Sequence, residues 1–175
     1  TGGRVELGAL TFNRRTFTAE VRNLVIHGTE GPDQAPLFRA ASIQAGLRIT
    51  SLLKQQIDIQ SLVVNKPEVH LIVDEKGGTN LPAPKATRKP KKQPVETILD
   101  LAIRRFQLLA GVLRVETRSV PLNALGENLR AQVVYDAAGP RYSGAVSLRQ
   151  VRLGSLTAPA CDLDARLRLE KNRLE

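Results

Sequence analysis

Histidine, cysteine and paired carboxylates are the residues of this chain that could bind a metal or carry catalysis. The two histidines, His27 and His70, have no cysteine, histidine or carboxylate at metal-ligand spacing in the sequence. His70 falls on the polar side of an alternating segment, which predicts that it is exposed to solvent. Cys161 is the only cysteine, so it forms no internal disulfide. Its place among alternating apolar residues predicts a small hydrophobic side chain rather than a nucleophile.

The other chemical motifs are incomplete. Asp162 and Asp164 would point to one side of a strand, as a pair of catalytic carboxylates would. Arg166 and Arg168 continue that side, so a solvated ladder of opposite charges is expected instead. The glycine-rich turn after Asp74 has neither the spacing of a calcium loop nor the Lys-Ser/Thr of a phosphate loop. The sequence therefore predicts a protein that is not an enzyme and that uses no metal and no cofactor.

Positive charge is concentrated in one short stretch. The formal net charge is +9 at pH 7, and five of the cations fall between Pro82 and Pro94, where there is no acidic residue. These cations are Lys85, Arg88, Lys89, Lys91 and Lys92. The proline-rich composition predicts a flexible loop, which either contacts anionic lipid headgroups or is solvated without a partner. Nucleic acid is not an expected partner, because stacking aromatics and a recognition helix are missing.

Apolar and charged residues alternate along most of the chain. The clearest example is the segment 161–170, Cys-Asp-Leu-Asp-Ala-Arg-Leu-Arg-Leu-Glu. Side chains on a strand point to opposite faces in turn, so this segment predicts a strand with one apolar and one charged face. Aromatic residues make up only 3% of the sequence, so the apolar surface is aliphatic. We predict a mainly β protein whose sheet has an apolar face that something must cover.

Turn and breaker residues divide the pattern into elements. Strands are predicted at 5–10, 16–26, 38–49, 57–65 and 69–73, and then at 103–109, 111–117, 120–124, 128–136, 141–148 and 155–170. Short helices are predicted at 50–56 and 95–102. The glycines expected to mark turns in the second half are Gly111, Gly126, Gly139 and Gly154. Three parts result: an N-terminal β segment (1–81), the basic loop (82–94) and a repetitive β segment (95–175) expected to continue beyond the sequence.

The first part resembles the N-terminal region of AsmA-like proteins in the order of its motifs. It runs Leu-Val-Ile-His-Gly at 24–28, Phe-Arg-Ala-Ala-Ser-Ile at 38–43 and Ser-Leu-Leu at 51–53. The long segment 57–71 and Gly-Thr-Asn-Leu at 78–81 follow. AsmA-like proteins have a strand, a short helix carrying Leu-Leu, a strand of the form I-x-I-x-x-L-x-L-x-x-P-x-V and a G-x-x-N-L turn.

The second part is similar to the next block of the TamB family, the inner-membrane subunit of the translocation and assembly module. The matching residues are Gly-Val-Leu at 111–113, Val-Pro-Leu at 120–122, Asn-Leu at 128–129, Tyr-Asp at 135–136 and Tyr-Ser-Gly at 142–144. The two resemblances together cover residues 5–175. The basic loop matches no motif of the family.

The resemblance implies a segment of a long periplasmic protein, anchored in the bacterial inner membrane by an N-terminal helix outside this sequence. In such proteins the elongated, curled antiparallel and repetitive sheet forms an open, taco-like trough with an apolar lining. They are implicated in carrying phospholipid between the inner and outer membranes and in outer-membrane biogenesis. TamB-like members work with an outer-membrane barrel partner of the Omp85 type.

Apolar strand residues are the expected contacts of acyl chains. Removing apolar area from water contributes about 25 cal/mol per Å², and an aliphatic lining without buried polar groups lets a lipid slide. The candidate lining residues are Ile43, Leu47, Ile49, Val69, Leu71, Val73, Val133, Tyr135, Leu163, Leu167 and Leu169. Each is equally compatible with the core of a β-sandwich. The alternative function is a periplasmic scaffold that guides outer-membrane proteins, or secreted ones, by pairing with their strands.

Overall fold

The computed structural model describes residues 3–31, 33–51, 56–82, 103–118, 123–136, 138–139, 141–154, 159–170 and 173–174. Within these ranges the chain forms one mixed sheet of eleven strands and no helix. The strands are β1 (Val5–Glu6), β2 (Ala9–Asn13), β3 (Thr18–Ile26), β4 (Phe38–Ser51), β5 (Gln56–Asn65), β6 (Glu68–Val73), β7 (Arg105–Thr117), β8 (Asn123–Asp136), β9 (Arg141–Leu153), β10 (Cys161–Glu170) and β11 (Arg173–Leu174). The prediction of a mainly β fold is confirmed.

Most neighbouring strands are antiparallel, as the alternation and its turns predict, but the centre of the sheet is not. β7 runs parallel to both β5 and β6, with Ser61 opposite Arg105 and Glu68 opposite Val112. Parallel neighbours need a long crossover connection rather than a tight hairpin. β6 ends at Val73 and β7 begins at Arg105, and the basic stretch 82–94 falls in the sequence between them.

Two predicted helices have different outcomes. The helix at 50–56 is wrong at both of its ends, because β4 continues to Ser51 and β5 begins at Gln56. Residues 52–55 between them lie outside the described residues, as do the helix predicted at 95–102 and residues 83–94 of the basic loop. At these two ends the β4–β5 pairing continues instead, with Ser51 opposite Gln56.

The glycine pattern predicts turns correctly at only two of four places. Gly139 and Gly154 lie in turns, whereas Gly111 and Gly126 lie inside β7 and β8. A Cβ atom at Gly126 would come within 2.5 Å of the Leu148 side chain. At Gly111 it would meet side-chain atoms of Leu108 and Pro67 at 3.0 Å. These two glycines therefore make room for neighbouring apolar side chains instead of reversing the chain.

The register of the strands sorts their side chains onto two faces. Paired residues point to the same side, and two complete rows on one side are apolar. The first row is Leu10, Val21, Ile43, Val64, Leu108, Ala131, Val146 and Ala165. The second is Phe12, Ala19, Ala45, Leu62, Phe106, Val133, Gly144 and Leu167. We call this side the apolar face and the opposite side the charged face.

The charged face begins in the row directly between these two. That row is Thr11, Glu20, Gln44, Val63, Gln107, Gln132, Ala145 and Arg166. Each residue of this row is next to an apolar-face residue in its strand, so its side chain points to the opposite side. Most residues of the row are polar. The period-two alternation seen in 161–170 is therefore shared by the strands from β2 to β10 at this level of the sheet.

Side-chain burial in the described residues is that of a single layer. The buried hydrophobic residues there are few: Leu37, Ala40, Val64, Ile72, Ile103, Val133 and Tyr142. Val133 and Tyr142 form a small cluster with Phe106, Tyr135 and Leu169. The facing residues of a two-layer sandwich would be enclosed by the opposite sheet. Here most apolar-face residues are only partly buried, and several are exposed.

A line of left-handed residues crosses the sheet at mid-height. Asn23, Lys66, Ala110, Asn128 and Gln150 all have φ between 46° and 53°. Lys66 and Ala110 are neighbours in the parallel register, since Asn65 lies opposite Leu109. In β7 and β8 the register shifts on either side of these residues, as in β-bulges. We call this feature the kink line.

The apolar face as a candidate functional site

The candidate lining residues of the second half lie together. Val133 of β8 is opposite Gly144 of β9, which is opposite Leu167 of β10. One row further, Tyr135, Tyr142 and Leu169 follow each other across the same three strands. The rings of Tyr135 and Tyr142 are 5.0 Å apart at an angle of 52°, a favourable aromatic contact. All of these side chains are on the apolar face.

The candidates of the first half lie on both sides of the kink line. Ile43 is in the first apolar row, and Leu47 follows on β4 opposite Ile59. On β6, Val69 and Leu71 lie opposite Leu113 and Val115 of β7. Val73 continues this side opposite Thr117. Ile49 pairs with Ile57, but its side chain lies outside the described residues.

β7 connects the two groups of candidates. A Cβ atom at Gly111 would point at the side chains of Leu108 and Leu129, so Gly111 is on the apolar face. Leu113 and Val115 follow it at period two. The residues opposite them on β6 therefore share a face with Leu108 and its row, despite the left-handed Ala110 between. The sheet brings the candidates whose side chains are described onto one surface.

This surface is wide, and its two ends are exposed. Eight strands from β2 to β10 contribute to it, which at ~4.8 Å per strand gives a width of roughly 34 Å. Leu10 is 68% exposed and Phe12 53% at one side, and Leu163 is 52% and Leu167 37% exposed at the other. Val133 near the centre is 8% exposed. Exposed apolar side chains at both ends of one apolar surface are compatible with a binding surface.

The charged face carries internal ion pairs. Arg149 of β9 donates two hydrogen bonds to Asp164 of β10, at 2.8 and 2.9 Å. Asp162 lies 3.7 Å from the same guanidinium and accepts a hydrogen bond from the backbone of Gln150. The hydrogen bond to Asp164 is the main reason that the pKa of Arg149 is raised. The two aspartates are therefore partners of a neighbouring strand and not a catalytic pair.

Two shallow depressions of the charged face also lack a reactive set of side chains. One of about 460 Å³ spans β7 to β10 and contains a single carboxylate, Asp164. Another of about 780 Å³ lies beside the β2–β3 turn and contains Glu20. Glu20 is 3.0 Å from Arg22, whose hydrogen bond is the main reason that the pKa of Glu20 is lowered. Asp164 thus pairs with Arg149 of the neighbouring strand, and Glu20 pairs with Arg22 of its own strand.

The prediction that His70 is exposed is wrong. Its side chain is on the charged face, but the residue is only 7% exposed because the segment 27–37 lies against β6. The backbone N–H of His70 donates to Leu37, and the ring Nδ1 is 3.1 Å from the carbonyl of Ala35. Nε2 is 3.0 Å from Oε1 of Glu116, in a geometry that makes no regular hydrogen bond.

Each histidine has one carboxylate neighbour far away in the sequence: Glu6 for His27 and Glu116 for His70. His27 is 3.1 Å from Glu6 and 3.5 Å from Glu30, and Glu116 is 46 positions from His70 in the chain. Strand pairing brings Glu6 to His27 and Glu116 to His70, so no local motif could predict these two contacts, whereas Glu30 is only three positions from His27. Cys161 is opposite Val151 on the apolar face, as predicted, but it is exposed at the start of β10.

Asn80 completes the free edge of β6. Its side-chain oxygen accepts from the N–H of Ile72 at 3.0 Å, and its side-chain nitrogen donates to the carbonyl of His70 at 2.8 Å. Its own N–H donates to Ile72, and its carbonyl accepts from Thr29. The side-chain amide thus replaces a neighbouring strand for two residues. Asn80 is 5% exposed, so these bonds are shielded from water.

Glu30 organises the segment over β6. Its carboxylate accepts hydrogen bonds from the backbone of Gly28 at 2.9 and 2.8 Å and of Leu37 at 3.2 Å. Burial would raise the pKa of this carboxyl, but the backbone hydrogen bonds and the nearby His27 outweigh burial and hold the pKa below its usual range. We use the name β6 corner for β6 together with residues 27–37 and 74–82.

Neither a metal cluster nor a membrane helix is found in the described ranges. No three His, Cys, Asp or Glu side chains there gather closely enough to hold a metal ion. Those ranges also contain no helix of sufficient length and hydropathy to cross a bilayer. The five predicted headgroup contacts, Lys85, Arg88, Lys89, Lys91 and Lys92, lie outside the described residues. No family model matches the sequence, and no curated protein is significantly similar to it.

Proposed function

We propose that the apolar face binds phospholipid acyl chains, in a segment of a periplasm-spanning protein anchored in the inner membrane. The observation that carries this proposal is a continuous apolar face on a one-layer sheet, which the described parts of the chain leave exposed at Leu10, Phe12, Leu163 and Leu167. Acyl chains are the simplest cover for such a surface, because removing it from water contributes about 25 cal/mol per Å². Carriage of phospholipid between the two membranes would follow from movement along this surface.

The composition of the apolar rows supports movement as well as binding. The two complete rows contain only Leu, Val, Ile, Ala, Phe and Gly. Such side chains offer dispersion and hydrophobic contact but no hydrogen bond that would hold a lipid at one place. The charged pairs, such as Arg149 with Asp164, are on the opposite face. A lipid would therefore meet similar surroundings at each strand.

Local backbone geometry supports the curled shape that the proposal needs. Val133 and Tyr142 are buried although the described sheet is one layer, so neighbouring apolar side chains close around them. The kink line adds bulge-like residues on several adjacent strands, and bulges bend a strand and increase its twist. A curled trough whose inner side is the apolar face is the form in which we propose that the sheet works.

Photo-crosslinking distinguishes the two faces with matched positions. A photoreactive amino acid replaces Leu163 or Leu167 on the apolar face, which are 52% and 37% exposed. The controls are Val134 and Leu109 on the charged face, which are 43% and 40% exposed. After irradiation in cells, we expect phospholipid adducts, detected by mass spectrometry, at the first pair only. Equal adducts at both pairs, or none at Leu163 and Leu167, would refute the proposal.

One observation favours the alternative, a scaffold for outer-membrane proteins. Within the described residues β2 pairs on one side only, with β3, and all five of its residues are exposed. Such an edge can accept an extended segment of another protein. A crosslinker at Thr11 that captures an outer-membrane protein, with no lipid at Leu163, would favour the scaffold. For both functions we propose an Omp85-type barrel as the partner, because of the sequence resemblance to TamB-like proteins.

A further inference from the structure

We infer that one end of the sheet docks on an anionic membrane surface through five arginines, which we call the arginine rim. They are Arg14, Arg15, Arg48, Arg104 and Arg105. This inference does not depend on what the apolar face binds, since it concerns the end of the sheet and its charge. It also involves none of the cations of the stretch 82–94.

Strand pairing places the five arginines at the same end. Arg14 and Arg15 form the turn between Asn13 and Thr18, which close the β2–β3 hairpin. Thr18 is opposite Gly46, so the end of β4 that carries Arg48 lies beside this turn.

The remaining two arginines lie where β7 begins, beyond β4 and β5 in the sheet. Arg105 is opposite Ser61, and the backbone N–H of Arg104 donates to Ile59. The rim therefore extends across the ends of β2, β3, β4, β5 and β7.

The rim arginines differ in their surroundings from four paired arginines elsewhere in the sheet. All five are exposed, and none forms an ion pair with a carboxylate side chain that the structure describes; Asp58, opposite Arg48 on β5, has a side chain outside that set. Elsewhere, Arg22 pairs with Glu20, Arg39 with Glu68, Arg141 with Asp136 and Arg149 with Asp164. Unpaired guanidinium groups are available to bind phosphate without losing an existing partner.

The opposite end of the sheet has a different charge balance. Glu6, Glu30, Asp74, Glu75 and Glu116 lie there together with Arg4, Lys76, Arg114, Arg118 and Arg152, so that end is close to neutral whereas the rim is positive. Near an anionic surface these carboxylates would be repelled while the rim is attracted. The charge distribution therefore favours one orientation of the sheet, with the rim towards the membrane.

Exposed aromatic side chains beside the rim favour a membrane over nucleic acid. Phe17, in the turn with Arg14 and Arg15, is 42% exposed, and Phe12 at the edge of the apolar face is 53% exposed. Cations flanked by exposed apolar side chains are typical of proteins that sit at the boundary of headgroups and acyl chains. The rim arginines and the last row of the apolar face lie at the same end of the sheet, so both would contact the bilayer together.

Binding to sedimenting vesicles tests this inference with the whole chain. The vesicles contain phosphatidylglycerol and phosphatidylcholine, or phosphatidylcholine alone. The test variants are R14Q/R15Q and R104Q/R105Q, and the control is R118Q/R152Q, which removes two exposed arginines from the opposite end. Each cation near an anionic surface changes affinity by about fivefold. We expect each rim variant to bind the anionic vesicles at least tenfold more weakly and the control to change by less than twofold.

Three outcomes would overturn the inference. The first is an equal loss in the control and the rim variants, which would mean that only net charge matters. The second is binding that does not depend on phosphatidylglycerol. The third is rim-dependent binding to duplex DNA that exceeds binding to vesicles at the same salt concentration. Loss of lipid crosslinks at Leu163 with intact rim-dependent vesicle binding would reject the proposed function and leave this inference standing.

Discussion

The β6 corner and β10 show how differently one sheet treats two of its strands. In β6 the charged-face residues His70 and Ile72 are both only 7% exposed. In β10 every residue from Cys161 to Arg168 is exposed, on both faces. Both strands lie in the same sheet, yet only β6 is covered on its charged face by other parts of the chain.

The cover of β6 comes from segments far away in sequence. Residues 27–37 reach it through Leu37 and Ala35, and Asn80 fills its free edge. Nothing comparable lies against β10 in the part of the chain that the structure describes. Alternation thus assigns a residue to a face, whereas loops decide whether that face is part of a core or remains a surface.

The largest expected effect is a difference in stability between truncating an apolar side chain of β6 and truncating one of β10. Replacing Ile72 with Ala should lower the free energy of unfolding by about 2 to 4 kcal/mol, because it leaves a cavity in an enclosed site. Replacing Leu163 with Ala should cost less than about 1 kcal/mol, since this side chain is 52% exposed. Urea unfolding followed by circular dichroism measures both.

Equal costs for the two truncations would mean that β10 is as enclosed as β6. In that case the apolar face would be core rather than a binding surface, and the lipid proposal would fail with it. Leu163→Ala should also weaken lipid crosslinking at Leu167, its neighbour two positions along β10, while Ile72→Ala should not. This second measurement separates a binding role from a purely structural one.

The next prediction concerns the side chain that replaces a strand. Asn80→Ala removes one acceptor and one donor from the edge of β6 and leaves the N–H of Ile72 and the carbonyl of His70 buried without these partners. The expected loss of stability is about 1 to 3 kcal/mol. Hydrogen exchange should accelerate at Ile72 more than at Arg166 of β10. Asn80→Asp is the matched variant: it keeps the acceptor for Ile72 but places a carboxylate oxygen against the carbonyl of His70, so at neutral pH it should destabilise the chain at least as much as Asn80→Ala.

A smaller effect with a pH signature is expected at Glu30. Its pKa is lower in the folded chain, so its contribution to stability is complete above the ordinary glutamate pKa of about 4.3 and is lost as the pH falls through the folded pKa. Glu30→Gln should reduce stability by about 1 to 2 kcal/mol at neutral pH. Unfolding measured from pH 3 to pH 7 should then depend less on pH than in the original chain.

Glu75 provides the control for this measurement. It is exposed in the turn that follows β6, and no hydrogen bond of its carboxylate is found among the described residues. Glu75→Gln should leave both stability and its pH dependence nearly unchanged. A similar response of the two variants would show that net charge, and not the bonds to Gly28 and Leu37, causes the effect at Glu30.

Sequence reasoning predicts the faces of this sheet well because they depend on local order. Strict alternation puts Leu163 and Leu167 on one side whatever strand lies beside them, and register then aligns that side with Val133. The candidates with described side chains all lie on the apolar face for this reason. Asn80 belongs to the Gly-Thr-Asn-Leu motif at 78–81, and the structure shows that its side-chain amide bonds to the free edge of β6.

The errors arise where distant contacts override local pattern. His70 follows the polar phase of its strand, but the segment 27–37 covers it, and one signal of this cover is Ile72, an apolar residue in the same phase. Gly111 and Gly126 predict turns by spacing, yet neighbouring leucines need their lack of a side chain. The parallel pairing of β7 could not be foreseen either, because alternation carries no information on strand direction.

The smallest expected effect tests the kink line, which both regions share. Ala110 has φ of 53°, a conformation that costs an alanine roughly 1 kcal/mol and a glycine almost nothing. Ala110→Gly should therefore keep the stability of the chain or raise it by up to about 1 kcal/mol, because the relief of strain offsets the greater freedom of glycine in the unfolded chain. Ala131→Gly, in the regular part of β8, should lower stability by about 0.5 to 1 kcal/mol. If both variants lose the same amount in urea unfolding, the left-handed geometry at Ala110 is not fixed by the sheet, and the kink line cannot contribute to its curvature.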